Sequence, residues 1–176
     1  MNFTSIKTFF SKWEAPFHYL IIGVCLFFIV KNYAFPTSSN ATPMVDKGDT
    51  IENLIPLLKT SKFENNLVLA ISPTCTFCEQ SMSFYKELVG LRNSEKLNVG
   101  IMSINSSEKA KQEEMRLFNE NELKVDAMGL LNFKKYNIMG VPSLMVVNSK
   151  GNVEAIWRGY LNPERAQGVK DFIRKL

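Results

Sequence analysis

A chain of 176 residues, 45% apolar and 22% charged, has material for one ordinary domain plus an appendage, which excludes wholesale disorder. The formal charge of +4 is mild, and without an arginine cluster or basic stripe it gives a nucleic-acid surface little support. Three cysteines are too few for a disulfide-stapled scaffold, and the single histidine, His18, leaves the globular part without an imidazole for a Cys–His hydrolase or a zinc site.

The chain begins with residues 1–16, followed by an apolar run, FHYLIIGVCLFFIV, from Phe17 to Val30. Extended to Phe35 it approaches the ~20 residues a helix needs to cross a bilayer. Lys31 can snorkel outward, and Trp13, Tyr19 and Tyr33 suit interfacial depths. Lys7 and Lys12 precede the run, so the positive-inside tendency places residues 1–16 in the cytoplasm. The prediction is a single-pass anchor over 17–35 in the cytoplasmic membrane, with the rest extracytoplasmic (periplasmic). A cleaved signal peptide ending near Ser39-Asn-Ala41 competes with it. The long segment before the apolar run and the position of Lys31 favour the anchor. Cys25 reads as a small apolar residue of the span. Residues 36–48, rich in Pro, Ser, Thr and Asn at their start, read as a linker.

The domain proper is expected over 49–176. Asp49 and Glu52 resemble a capping box ahead of Leu54, Ile55, Leu57 and Leu58, although Pro56 argues against a long helix. Leu67–Ser72 reads as a buried strand and Thr76–Leu91 as a helix carrying Phe77, Met82, Phe84, Tyr85, Leu88 and Leu91 at mixed helical spacings. Leu97–Ile104 is a second strand. Ser107–Glu122 is a charged helix with a limited stripe of Ala110, Met115 and Phe118. A short strand over Lys124–Met128 and a helical turn or two through Leu130–Tyr136 come next. Ser143–Asn148 and Val153–Arg158 form a hairpin across Ser149-Lys-Gly-Asn152. Asn162-Pro163 caps and opens the last helix, which carries Val169, Phe172, Ile173 and Leu176. The order βαβαβ then ββα predicts α/β layers around one mixed sheet.

Cys75 and Cys78 stand where the first strand gives way to a helix. Two thiols at this spacing can close a small disulfide ring and reopen it. A helix start supplies free N–H groups and the positive dipole end beside the first sulfur, surroundings that favour a reactive thiolate. Position makes Cys75 the attacking sulfur and Cys78, a turn deeper, the resolving one. Glu79 follows Cys78 and is a candidate proton relay, or simply a solvated helix residue. The other readings of the pair are a static disulfide that stiffens the domain and a non-catalytic binding module.

Strand-Cys-Thr-Phe-Cys-helix, Gly140-Val-Pro-Ser143 before a strand, a Gly-containing hairpin and a terminal helix together resemble the thioredoxin-like superfamily over about residues 50–176. The stretch from Leu97 to Tyr136 resembles the central insertion of the membrane-anchored TlpA/ResA type. That resemblance implies a thioredoxin-like α/β fold and a protein thiol-disulfide oxidoreductase with a redox-active Cys75–Cys78 disulfide, needing no cofactor or metal. It also implies protein thiols or disulfides as substrates, a membrane redox partner and roles such as cytochrome c maturation. Pro142 matches the family's cis-proline, which leaves Thr74, Thr76, Phe77, Val141 and Pro142 to contact substrate. Three departures stand out. Thr74 replaces the Trp that many relatives carry, Leu69 stands where thioredoxin has a buried Asp, and Thr76-Phe77 matches neither Gly-Pro of thioredoxin nor Pro-His of DsbA. The functional expectation is a membrane-anchored, reductive thiol-disulfide oxidoreductase; the alternative is a thioredoxin-fold peptide-binding adaptor or holdase.

Overall fold

The computed structural model describes residues 44–176 and, ahead of them, Val24 alone, which is helical and exposed. The predicted span 17–35 therefore lies outside the described residues, Val24 excepted. No helix among the described residues is long and apolar enough to cross a membrane.

Five strands form one mixed sheet in the order β3-β2-β1-β4-β5. They are β1 (Asn65–Ala70), β2 (Val99–Asn105), β3 (Ala127–Leu130), β4 (Ser143–Asn148) and β5 (Val153–Arg158). β1, β2 and β3 run parallel, while β4 lies antiparallel to β1 and β5 antiparallel to β4. β1 is central and covered on both faces, which is why it reads as a nearly continuous apolar run. The helices are α1 (Ile55–Leu58), α2 (Thr76–Gln80), α3 (Met82–Glu95), α4 (Glu108–Glu120) and α5 (Pro163–Ile173).

Strand alternation divides the core in two. Leu67, Leu69 and Ile71 join Val99, Ile101, Leu144 and Val146 on one face, packed with Cys78, Met82, Tyr85, Leu88, Phe118, Val169 and Ile173. Val68, Ala70, Met102, Ile104, Met145 and Val147 line the other face with Ile51, Leu54, Leu58 and Leu131.

Several elements differ from expectation for identifiable reasons. Asp49 does not close a capping box; its Oδ2 accepts the Asp46 N–H at 2.7 Å, and a 3-10 turn (Glu52–Leu54) leads into the four-residue α1, with Pro56 in its first turn. The helix after Cys75 is two helices, because the Ser81 hydroxyl donates to Phe77 O at 2.7 Å, a back-bond that bends helices. β3 starts at Ala127 rather than Lys124: the Asp126 carboxylate takes the Ile101 N–H at 2.7 Å and pairs with Arg92, so ladder pairing with β2 begins just beyond it. Residues 131–138 are turns and extended chain, without the expected helix. The hairpin strands and the start of the last helix fall as predicted, with Asn162 Oδ1 accepting Arg165 N–H at 2.9 Å.

The segment leading into α1 runs alongside β5. Ile51 N–H donates to Gly151 O and Gly48 N–H to Val153 O, each at 2.8 Å, while Val45 O accepts from the Arg158 guanidinium. Arg158 is paired with Ser143, the residue after Pro142, so this segment begins toward the end of the sheet that carries the cysteines.

Candidate active site

The central strand ends at Ala70, opposite Ser143, and the chain turns through Ser72–Thr74 into α2. The turn is closed by Cys75 N–H donating to Ser72 O at 3.1 Å and by a 3.1 Å contact between the Ser72 and Thr74 hydroxyls. Cys75 is the N-cap of α2. Its backbone is extended, and its sulfur accepts the Cys78 N–H at 3.2 Å, one of the donors a helix start leaves free. The two thiols are free in this structure.

The two sulfurs meet different surroundings. Cys75 is half-buried and its thiol faces Val141 O at 3.5 Å. Cys78 is wholly buried in the core. Burial is the main reason its thiol is pushed up to about 12, reinforced by the hydrogen bond with Cys75 and by the charges of Cys75 and Glu114, and opposed by a backbone hydrogen bond with Ser72. One sulfur is thus available to an incoming group while the other is held as a thiol beneath it.

The Val141–Pro142 peptide is cis, as the motif led us to expect. Pro142 is buried and Val141 half-buried, with its carbonyl aimed at Cys75. Ser143 Oγ donates to Gly140 O at 2.7 Å and Gly159 N–H to Pro142 O at 2.7 Å, fixing the loop on both sides. Thr74, Thr76 and Phe77 are exposed around Cys75. Phe77 is 57% exposed and lies 6.3 Å from the Tyr160 ring, which is 49% exposed. Met139, at 77%, adds another apolar side chain two residues before Val141. A shallow groove of about 330 Å³ separates Pro73 and Thr74 from Glu113, Arg116, Leu117 and Glu120 of α4.

Sequence reasoning missed Tyr160 and Met139, which come from loops distant in the chain. It also missed Glu114, Ser103 and Asn105, all fully buried. Glu79, the candidate relay, is exposed on α2. Glu114 had one signal: it stands four residues before Phe118, on the same side of α4.

A mixed five-stranded sheet with a Cys-x-x-Cys helix start facing a cis-proline loop defines a thioredoxin-like fold. The chain belongs to the thioredoxin-like domain family, whose profile matches residues 58–173. Among solved structures it is similar to StoA from Bacillus subtilis, with 19% identity over 74% of this chain and 98% of that one and a TM-score of 0.50. It is also similar to a thiol:disulfide interchange protein, DsbE, from Chlorobium tepidum, with 14% identity over 74% and 97% of the two chains and a TM-score of 0.54. A protein disulfide isomerase-like structure from Bacteroides thetaiotaomicron matches at 15% identity over 77% and 87%, TM-score 0.52. At these identities the likeness establishes the fold. A search of curated proteins returns no match.

Proposed function

We propose that this protein is a thiol-disulfide oxidoreductase that exchanges disulfides with protein thiols through Cys75 and Cys78. The observation that carries this reading is the asymmetry of the pair: an accessible sulfur at a helix start, facing a backbone carbonyl, above a buried thiol pushed up to about 12. In reductive turnover Cys75 thiolate attacks a substrate disulfide and releases one substrate thiolate. Cys78 then attacks Cys75 Sγ, closing the ring and releasing the second. The exposed Phe77 and Tyr160 give an extended substrate segment an apolar seat beside Val141.

The reading extends to place and direction. Residues 17–35 hold the domain at the cytoplasmic membrane with its thiols on the extracytoplasmic side, and a membrane protein exchanges electrons with it. Tethering raises the domain's effective concentration near such a partner. Protease accessibility of the domain in intact spheroplasts tests the topology; a domain protected there ends this part of the proposal.

The chemistry is tested on the full chain with a protein disulfide substrate. Cys75→Ser abolishes turnover, and Cys78→Ser accumulates a mixed disulfide on Cys75. Full turnover in Cys75→Ser would refute the assignment. The reduction potential decides direction: a value near thioredoxin's ~−270 mV marks a reductant, and one near DsbA's ~−120 mV a disulfide donor.

A further inference from the structure

β5 ends at Arg158 and α5 begins at Pro163, so residues 159–162 belong to neither element. The turn that opens this link is placed by hydrogen bonds on two sides. On one side Gly159 N–H donates to Pro142 O at 2.7 Å. Gly159 stands directly opposite Pro142, because Ser143 and Arg158 are paired in the ladder. A hydrogen-bonded antiparallel pair ordinarily exchanges two bonds, but Pro142 has no N–H to return. The loop that carries Val141 is therefore joined to β5 here by one bond rather than two.

On the other side stands Arg165, in the first turn of α5. Its Nη2 donates to Arg158 O at 2.9 Å and its Nη1 to Tyr160 O at 3.1 Å. Bonding alternates along an antiparallel ladder, so the Arg158 carbonyl, one residue from the bonded pair, points away from β4. β5 is the last strand of the sheet, and Arg165 supplies the donor that a further strand would have given. Gly159, at φ +75°, turns the chain in the left-handed region, and the carbonyls of the residues on either side of it meet the same guanidinium. A planar fork suits two such acceptors as a compact ammonium does not. The guanidinium of Arg158 is engaged elsewhere, on Val45 O and with Asp46 at 4.0 Å. Arg165 is itself seated by Asn162 Oδ1, which accepts its backbone N–H at 2.9 Å.

The turn supports both walls of the substrate seat. Through Pro142 O it sets the peptide next to Val141 O, which lies 3.5 Å from Cys75 Sγ. Through Tyr160 it sets an exposed ring 6.3 Å from that of Phe77, on the helix that Cys75 caps. We propose that Arg165 is a positioning residue for substrate binding: its fork on Arg158 O and Tyr160 O holds the 158–160 turn, and with it Val141 and Tyr160, at the spacing an extended protein substrate spans. This rests on the oxidoreductase reading above and adds a residue that governs it from outside the seat. Arg165 has no part in the sulfur exchange, because Cys75 Sγ takes its hydrogen bond from Cys78 N–H at the start of α2. Its loss weakens the binding of substrates that span the seat and leaves the reactivity of the sulfur unchanged.

The test uses the full chain in detergent with two disulfide probes, insulin and the small hydroxyethyl disulfide, and dithiothreitol as electron donor. Arg165→Ala raises KM for insulin about 10-fold at unchanged kcat, the pattern of lost uniform binding and the low end for charge-assisted hydrogen bonds. The rate with hydroxyethyl disulfide, too small to span the seat, stays within about 2-fold of wild type. Arg165→Lys keeps the charge without the fork and remains about 3-fold impaired in KM. That graded split is one a merely structural role would not produce. An unchanged KM in Arg165→Ala, full recovery in Arg165→Lys, or an equal loss with both probes overturns the proposal. Wild-type insulin turnover that is absent, or indifferent to Cys75→Ser, instead overturns the reductive reading beneath it.

Discussion

The two faces of the central sheet are built from alternate residues of the same strands, yet they differ in kind. One face, with Val68, Ala70, Met102, Ile104, Met145 and Val147 against Leu54, Leu58 and Leu131, is apolar across its middle. The other has the same aliphatic foundation but admits Cys78, Ser103, Asn105 and Glu114. Polar groups in a core weaken it unless each finds a partner. Asn66 and Ser143 are buried near strand ends on the first face, whereas Ser103, Asn105 and Glu114 gather on the face that packs Cys78, so the polar core groups lie mainly on the side of the cysteine pair. Leu69 and Met102 show how little separates the two faces: they sit on adjacent paired strands, one residue out of phase.

Substitutions on either side can break that division. Ile104→Ala on the apolar face has the largest expected effect. It should cost about 2–5 kcal/mol in denaturant unfolding while leaving the exchange rate per folded molecule unchanged. A collapse in exchange rate without unfolding would show the faces to be coupled.

The pH dependence of stability sharpens the comparison from the other side. Glu114 is raised from 4.5 to about 7 in the fold, so between those values the native state holds a proton that the unfolded chain releases. Stability contributed by the neutral carboxyl is complete below 4.5, declines as pH rises, and is gone above 7. The loss amounts to about 3 kcal/mol. Unfolding free energies measured along this range should fall for wild type and run flatter for Glu114→Gln; parallel curves would remove Glu114 as their origin.

The smallest effect concerns the helix that delivers Glu114. Ser107 caps α4 by accepting the Ala110 N–H at 3.2 Å, and Ser107→Ala should cost about 1 kcal/mol. The decline of stability between pH 4.5 and 7 should keep its size in this variant, and a changed decline would mean that the carboxyl's setting depends on the helix end as well as on Ser103.

How legible each part was in the sequence follows from how local its cause is. β4 and β5 are fenced by Pro142 and by a turn at residues 149–152, so their bounds could be read directly. The thiol pair declares itself by spacing, and Asn162-Pro163 fixes the start of α5 within four residues. The Asp49–Glu52 pattern misled because Asp46, three residues earlier, offers its N–H to the same carboxylate. On α4 the stripe of Ala110, Met115 and Phe118 was drawn slightly askew: Met115 is 44% exposed, and the buried line passes through Glu114 to Phe118. A charged letter on a charged helix carries no local sign of burial. Its partner Ser103 belongs to another element, and only the packed fold brings them together.

Val45 is held by Arg158 near the sheet end that carries Cys75, and from there the chain descends along β5. The lead-in of residues 36–44 thus joins the domain at its working end, and even fully drawn out it reaches only about 30 Å. Under the anchored reading proposed above, a tether of that length caps how far Cys75 can travel from the point of attachment, so the linker's length becomes a limit on which partners the thiol can meet.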